Sequence, residues 1–151
     1  MLLQTAIALA VFAVAANAAE LSIERGTLKP GKPVTVRVKL AALRDAPTGI
    51  QFDVEYDAAS LDIAIEAGPA AKQAGKSLRS AKVQDGKQRV LIIGFNKNAM
   101  SDGVVAILHV SYKGQEAGKT FPIRITATSG TNEKAERVAV TGKDGSVAVE
   151  Q

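Results

Sequence analysis

Residues 49–63 read GIQFDVEYDAASLDI. Ile50, Phe52, Val54 and Tyr56 alternate with Gln51, Asp53 and Glu55, the period of a strand with one buried and one wet face. After a short polar turn the alternation resumes at Leu61, Ile63 and Ile65. Working outward, the same pattern marks Val34 to Leu40, Val104 to Tyr112, and Ile123 to Ala127. The run from Arg89 to Phe95 is apolar nearly throughout, which predicts a central strand covered on both sides. Turn residues punctuate these runs at Lys29-Pro30-Gly31, Asp85-Gly86, Ser101-Asp102-Gly103, Glu116-Ala117-Gly118 and Asp144-Gly145. Residues 68–80 break the alternation and predict either a loop or one to two turns of helix. About nine short strands in one unrepeated chain predict an all-β fold of two face-packed antiparallel sheets, a jelly roll or an immunoglobulin-like sandwich.

The first 18 residues, MLLQTAIALAVFAVAANA, carry no charge, and 15 of them are apolar. An apolar stretch closing on Ala16-Asn17-Ala18 predicts a signal peptide over 1–18 and a domain over 19–151, secreted or periplasmic, with no membrane span left after cleavage. An uncleaved anchor is the alternative, because a basic start is missing. The whole chain has one His, no Cys and no Trp among 151 residues. That excludes disulfide scaffolds, thiolate metal sites, Cys nucleophiles and clustered His ligands. Nineteen basic residues face 15 acidic ones without a long block of either sign, so no nucleic-acid arm is expected.

Four constellations invite a chemical reading. GPAAKQAGKS ends in Gly75-Lys76-Ser77, but a phosphate loop needs glycine five residues before Gly75, where Ala70 stands. His109, in the outward phase of its strand, has no imidazole partner and no G-x-S-x-G elbow to serve, which argues against a hydrolase. Asp53, Glu55 and Asp57 stand at period two and read as a solvated row, with no calcium loop following them. Five aromatic residues beyond the leader, Phe52, Tyr56, Phe95, Tyr112 and Phe121, are all expected in the core, which weakens a sugar-stacking reading. No catalytic residue, metal site or cofactor is expected, and a carbohydrate-binding module is the runner-up.

Read together, several segments resemble the cohesin family. GIQFDVEYDAASLDI at 49–63 is similar to the family's small residue, alternating apolar positions, Tyr-Asp, turn and Leu. SDGVVAILHVSYKG at 101–114 looks like its Asp-Gly turn opening a long strand, and FPIRIT and DGSVAV match its endings. The resemblance implies a nine-stranded jelly-roll sandwich and a non-catalytic module that docks a dockerin-like or other protein segment, with a polysaccharide as the alternative ligand. It also implies that strands eight, three, six and five form the docking face. GPAAKQAGK and LIIGFNKN look like non-cellulosomal members. Where cellulosomal cohesins often carry outward Asn and Asp, this chain has Gly49 and Gln51, so a cellulosomal dockerin is expected to fit poorly.

Phase counting adds a second expectation. With Val104, Ala106, Leu108, Val110 and Tyr112 inward, Val105 and Ile107 point outward beside His109. Two exposed aliphatic residues rimmed by Gln51, Asp53 and Lys97 suit an interface centre. The expected partner-binding set is therefore Gly49, Gln51, Asp53, Lys97, Val105, Ile107 and His109; a cover over Val105 and Ile107 from residues 68–80 is the competing reading.

Overall fold

The computed structural model describes residues 18–151. The leader expected over residues 1–18 lies outside them except for Ala18. In chain order the elements are β1 (Ala19–Ile23), β2 (Arg25–Leu28), β3 (Val34–Ala42), β4 (Gly49–Glu55), β5 (Leu61–Ala67), α1 (Pro69–Gln73), β6 (Ser77–Gln84), β7 (Lys87–Ile93), β8 (Gly103–Tyr112), β9 (Thr120–Thr131), β10 (Arg137–Val138), β11 (Val140–Lys143) and β12 (Gly145–Val149). The first sheet runs β11-β1-β3-β8-β5; the second runs β2-β12-β9-β4-β7-β6, with β10 paired to β9. They form a jelly-roll β-sandwich. Both sheets are mixed, because β1 pairs parallel to β11 and β12 parallel to β2.

Twelve strands replace the nine expected, because extended chain changes sheets without turning back. Single-residue breaks fall at Glu24, Ala139 and Asp144. Joining the strands across these breaks returns nine. At the last crossing the Asp144 carboxylate accepts from the Ile125 amide at 2.9 Å. A Cβ on Gly145 would stand 2.4 Å from the Glu24 carbonyl oxygen, so the close approach requires glycine.

The alternation of β4 holds in its apolar positions: Ile50, Phe52 and Val54 are buried in one core with Val36, Val38, Leu108 and Val110 of the other sheet. Each such side chain contributes about 1.5–3 kcal/mol. Three expectations need correction. First, β7 is central in pairing but covered on one face only: Val90 and Ile92 are buried, Leu91 is partly open and Ile93 is 45% exposed. Second, Phe95, expected in the core, is fully exposed on the connection that follows β7. Third, Val105 is not outward. The β3–β8 register shifts so that Val38 faces Ala106 while Lys39 faces Val104, leaving Val105 as the extra residue of a bulge. Val105 and Ala106 are consequently both fully buried.

Residues 68–80 divide between the short helix α1 and the start of β6. Pro69 opens α1, Gly68 donates its amide to the Val105 carbonyl at 2.9 Å, and α1 packs on β8. Gly75, at φ +71°, ends the turn where a Cβ would stand 2.7 Å from the Asn96 amide nitrogen. Lys76 is buried and donates from Nζ to the Asn96 Oδ1 at 2.6 Å and to its backbone carbonyl at 3.1 Å. This contact fastens α1 to the connection between β7 and β8.

Candidate functional site

The outer face of the second sheet is built by β9, β4, β7 and β6, and their registers arrange it in rows. Ser129, Gln51, Leu91 and Arg79 form one row across the four strands. Thr126, Asp53, Arg89 and Ala81 form the next, and Arg124, Glu55, Lys87 and Gln84 the third. Beyond β7 lies only β6, an edge strand exposed at every position except the half-buried Leu78. Val83, at the β6 bulge, is 48% exposed. Leu91, Ile93 and Val83 thus place aliphatic side chains among polar ones on one sheet face.

Asp53 lies on this face but is 0% exposed, which corrects the solvated row. Arg89 covers it with two charge-assisted hydrogen bonds, Nε to Oδ1 at 2.9 Å and Nη2 to Oδ2 at 3.0 Å. The bonded Asp53 carboxylate and its charge hold the Arg89 guanidinium above its ordinary pKa. Lys87 approaches Asp53 at 3.8 Å and Glu55 at 4.0 Å, while Glu55 accepts from the Thr126 hydroxyl at 2.7 Å. Asp57 leaves the row: in the following turn it accepts from the Ala59 amide and the Ser60 hydroxyl.

Gly49 is a gap in the face. An added Cβ there would stand 3.0 Å from Thr131 Oγ1 and 3.5 Å from Ile93 Cγ2. Without one, a notch of about 190 Å³ opens, lined by Gly49, Gln51, Leu91, Ile93, Ser129 and Thr131 among others.

The residues expected to form one site are divided between two faces. Gly49, Gln51 and Asp53 belong to the second sheet, and Lys97 is exposed on the connection after β7. Ile107 and His109 belong to the outer face of the first sheet, where Arg37 and Glu66 flank Ile107 and Thr35 and Ala64 flank His109. His109 Nε2 lies 3.1 Å from Glu66 Oε1. Val105 is in the core and reaches neither face. Arg79, Val83, Leu91 and Ile93 were missed by sequence reasoning. The run Leu91-Ile92-Ile93 held the signal for β7, because one phase of an apolar run on a one-sided sheet must face water. β6, SLRSAKVQ, held none: a strand wet on both faces has no apolar period.

Among the described residues no helix is long and apolar enough to cross a membrane, and no three His, Asp or Glu side chains gather as a metal cluster.

A cohesin domain family model matches residues 19–149. The structure is similar to the sixth cohesin of Acetivibrio cellulolyticus scaffoldin B, solved with a Cel5 dockerin mutant: 27% identity, TM-score 0.78, covering 89% of this chain and 100% of that one. It also resembles the OlpA cohesin of Clostridium thermocellum, solved with the Doc918 dockerin, at 20% identity and TM-score 0.77 over 88% and 99% of the two chains. A non-cellulosomal cohesin from the archaeon Archaeoglobus fulgidus matches at 13% identity and TM-score 0.72 over 90% and 93%. A search of curated protein sequences returns no significant match.

Proposed function

Since the chain belongs to the cohesin domain family, we propose that it is a non-catalytic docking module that holds a protein segment on the outer face of β9-β4-β7-β6. The observation that carries this reading is the pair Leu91 and Ile93, the first half-buried and the second 45% exposed, standing open along the Gly49 notch that both line. Exposed aliphatic side chains on a face where the half-exposed Arg89 covers the buried Asp53 carboxylate suit an interface centre with a polar rim. A dockerin-like segment is the partner class, since the scaffoldin B and OlpA cohesins were solved with dockerins. The reading includes export, on the apolar leader closing at Ala16-Asn17-Ala18, to the periplasm or the medium.

The test uses residues 19–151 as bait for the exported proteins of the source organism, comparing the parent with Leu91→Asp and Ile107→Asp. Leu91→Asp should stay folded and lose its partner by roughly thirtyfold, a hot-spot loss of about 2 kcal/mol. Ile107→Asp should keep it. The opposite result moves the docking face to the first sheet.

One observation favours the second reading, a carbohydrate-binding module: Phe95 presents a whole aromatic ring to solvent. Retention on insoluble polysaccharide that disappears in Phe95→Ala would establish it.

A further inference from the structure

Three features stand out beyond the docking role: the buried Lys76 against Asn96, the open edge of β6, and the charge left over on the second sheet's outer face. Lys76 has only amide and carbonyl partners and serves as a structural latch. The β6 edge carries Arg79, Lys82 and a bulge at Val83, features that oppose strand addition. The face charge carries further.

On that face the two carboxylates, Asp53 and Glu55, are both engaged by Lys87, and Asp53 is covered by Arg89. Four cations stand against them. Arg79 and Arg124 are exposed and form no ion pair among the described residues. Arg79 is the direct neighbour of Leu91 in the register, so one unmatched cation lies about one strand spacing, roughly 5 Å, beyond the aliphatic row. The Gly49 notch lies on the opposite side of Leu91. A ligand crossing the strands meets, in order, a hollow with aliphatic walls, an aliphatic ridge and a guanidinium.

We propose that the segment docked here is acidic, seating one aliphatic side chain in the notch over Gly49 and placing a carboxylate on Arg79. This rests on the docking role proposed above and adds the chemistry of the partner. A basic segment is rejected by the uncompensated charge, since like charges across an interface penalise the wrong partner. The fork geometry of Arg79 suits a carboxylate better than a neutral acceptor.

The test selects binders to the parent protein from a display library of random peptides and maps the selected peptides by amide chemical shifts. Enriched peptides should pair Asp or Glu with Leu or Ile and should shift the amides of Gly49, Leu91 and Ile93. Their affinity should fall at least about tenfold on Arg79→Glu, recover when the peptide's acid is exchanged for Lys, and weaken with salt. Gly49→Ala should weaken them as well, with Thr131 turning aside; if that variant fails to fold, the Arg79→Glu arm decides, because Arg79 is exposed. Neutral or basic peptides mapping to the same face would overturn the acidic partner and leave the docking face standing. Peptides mapping to the first sheet, or no enrichment, would overturn both.

Discussion

The two outer faces of the sandwich share one fold and differ in how their charges and aliphatic residues are settled. On the first sheet Glu20 is paired with Lys143, Glu24 with Lys39 and Arg37, and Asp62 with Lys113, while Glu66 has the His109 imidazole 3.1 Å away. Two outward aliphatic residues of β8, Val104 opposite Lys39 and Ile107 between Arg37 and Glu66, are both half-buried. On the second sheet Arg79 and Arg124 are left over, and Leu91, Ile93 and Val83 meet water. A face that is finished within the chain needs no partner. A face with unmatched charge and open aliphatic surface suits the docking role proposed above.

The strands β7 and β8 sharpen the contrast, because both carry more apolar residues than one buried face requires. In β8 the surplus is absorbed by the bulge at Val105 and by α1 above it; in β7 it stays outside. The largest effect predicted here follows. Val105→Asp would place an unpaired carboxylate among core side chains and should cost at least about 3 kcal/mol or abolish folding. Leu91→Asp, on the open face, should change stability by only about 0.5 kcal/mol. Urea unfolding of both variants measures the difference. Equal costs would mean that β7 is covered as β8 is, and the distinction between the strands would fall.

The cover over Val105 depends on how α1 is held. Lys76→Ala removes the Nζ contacts to Asn96 and should cost about 1–3 kcal/mol, with faster hydrogen exchange in residues 69–75. Burial pushes the Lys76 ammonium below the usual lysine range, so the folded state binds this proton less tightly than the unfolded chain does. Stability of the parent relative to Lys76→Ala should therefore rise as pH climbs through the depressed value toward the ordinary one near 10.5. A gap that narrows over that window would show that the ammonium is stabilised in the fold.

The strands whose inner faces line the core were legible because burial imposes period two: β3, β5 and β8 beyond its bulge follow it closely, and β4 follows it in its apolar positions while Asp53 is buried in the other phase. The Asp85-Gly86 turn was legible too, with Gly86 at φ +76°. Two things were not. A bulge adds one residue and reverses the phase beyond it, and nothing in GVVAILHV marks Val105 as the extra one. β6 is fixed by pairing with β7, and its exposed side chains leave no pattern. The expected site was divided by the first of these: Val105, expected outward, is buried at the bulge, and Ile107 and His109 lie on the other sheet from Gly49 and Gln51, which stand where the phase of β4 puts them. Arg79 escaped because what sets it apart is a lack, the absence of an ion-pair partner among the described residues, and only the folded arrangement reveals that.

The smallest predicted effect separates the faces by charge alone. Glu24 is bonded by Lys39 at 2.6 Å, with Arg37 at 3.8 Å, and the Lys39 hydrogen bond holds its carboxyl below the usual carboxylate range against a partial burial that acts the other way. A depressed folded pKa gives stability that is present above the unfolded value and lost as pH falls through the folded one. Glu24→Gln should therefore cost a few tenths of a kcal/mol at neutral pH, about the worth of a surface pair, and nothing at a pH where the parent's Glu24 is also protonated. Arg79→Gln, which breaks no ion pair, should cost nothing at either pH. Thermal unfolding of the two variants at neutral and acid pH checks this. If Arg79→Gln destabilises the protein in the same pH-dependent way, Arg79 has an acid within its own chain, and the second face is as complete as the first.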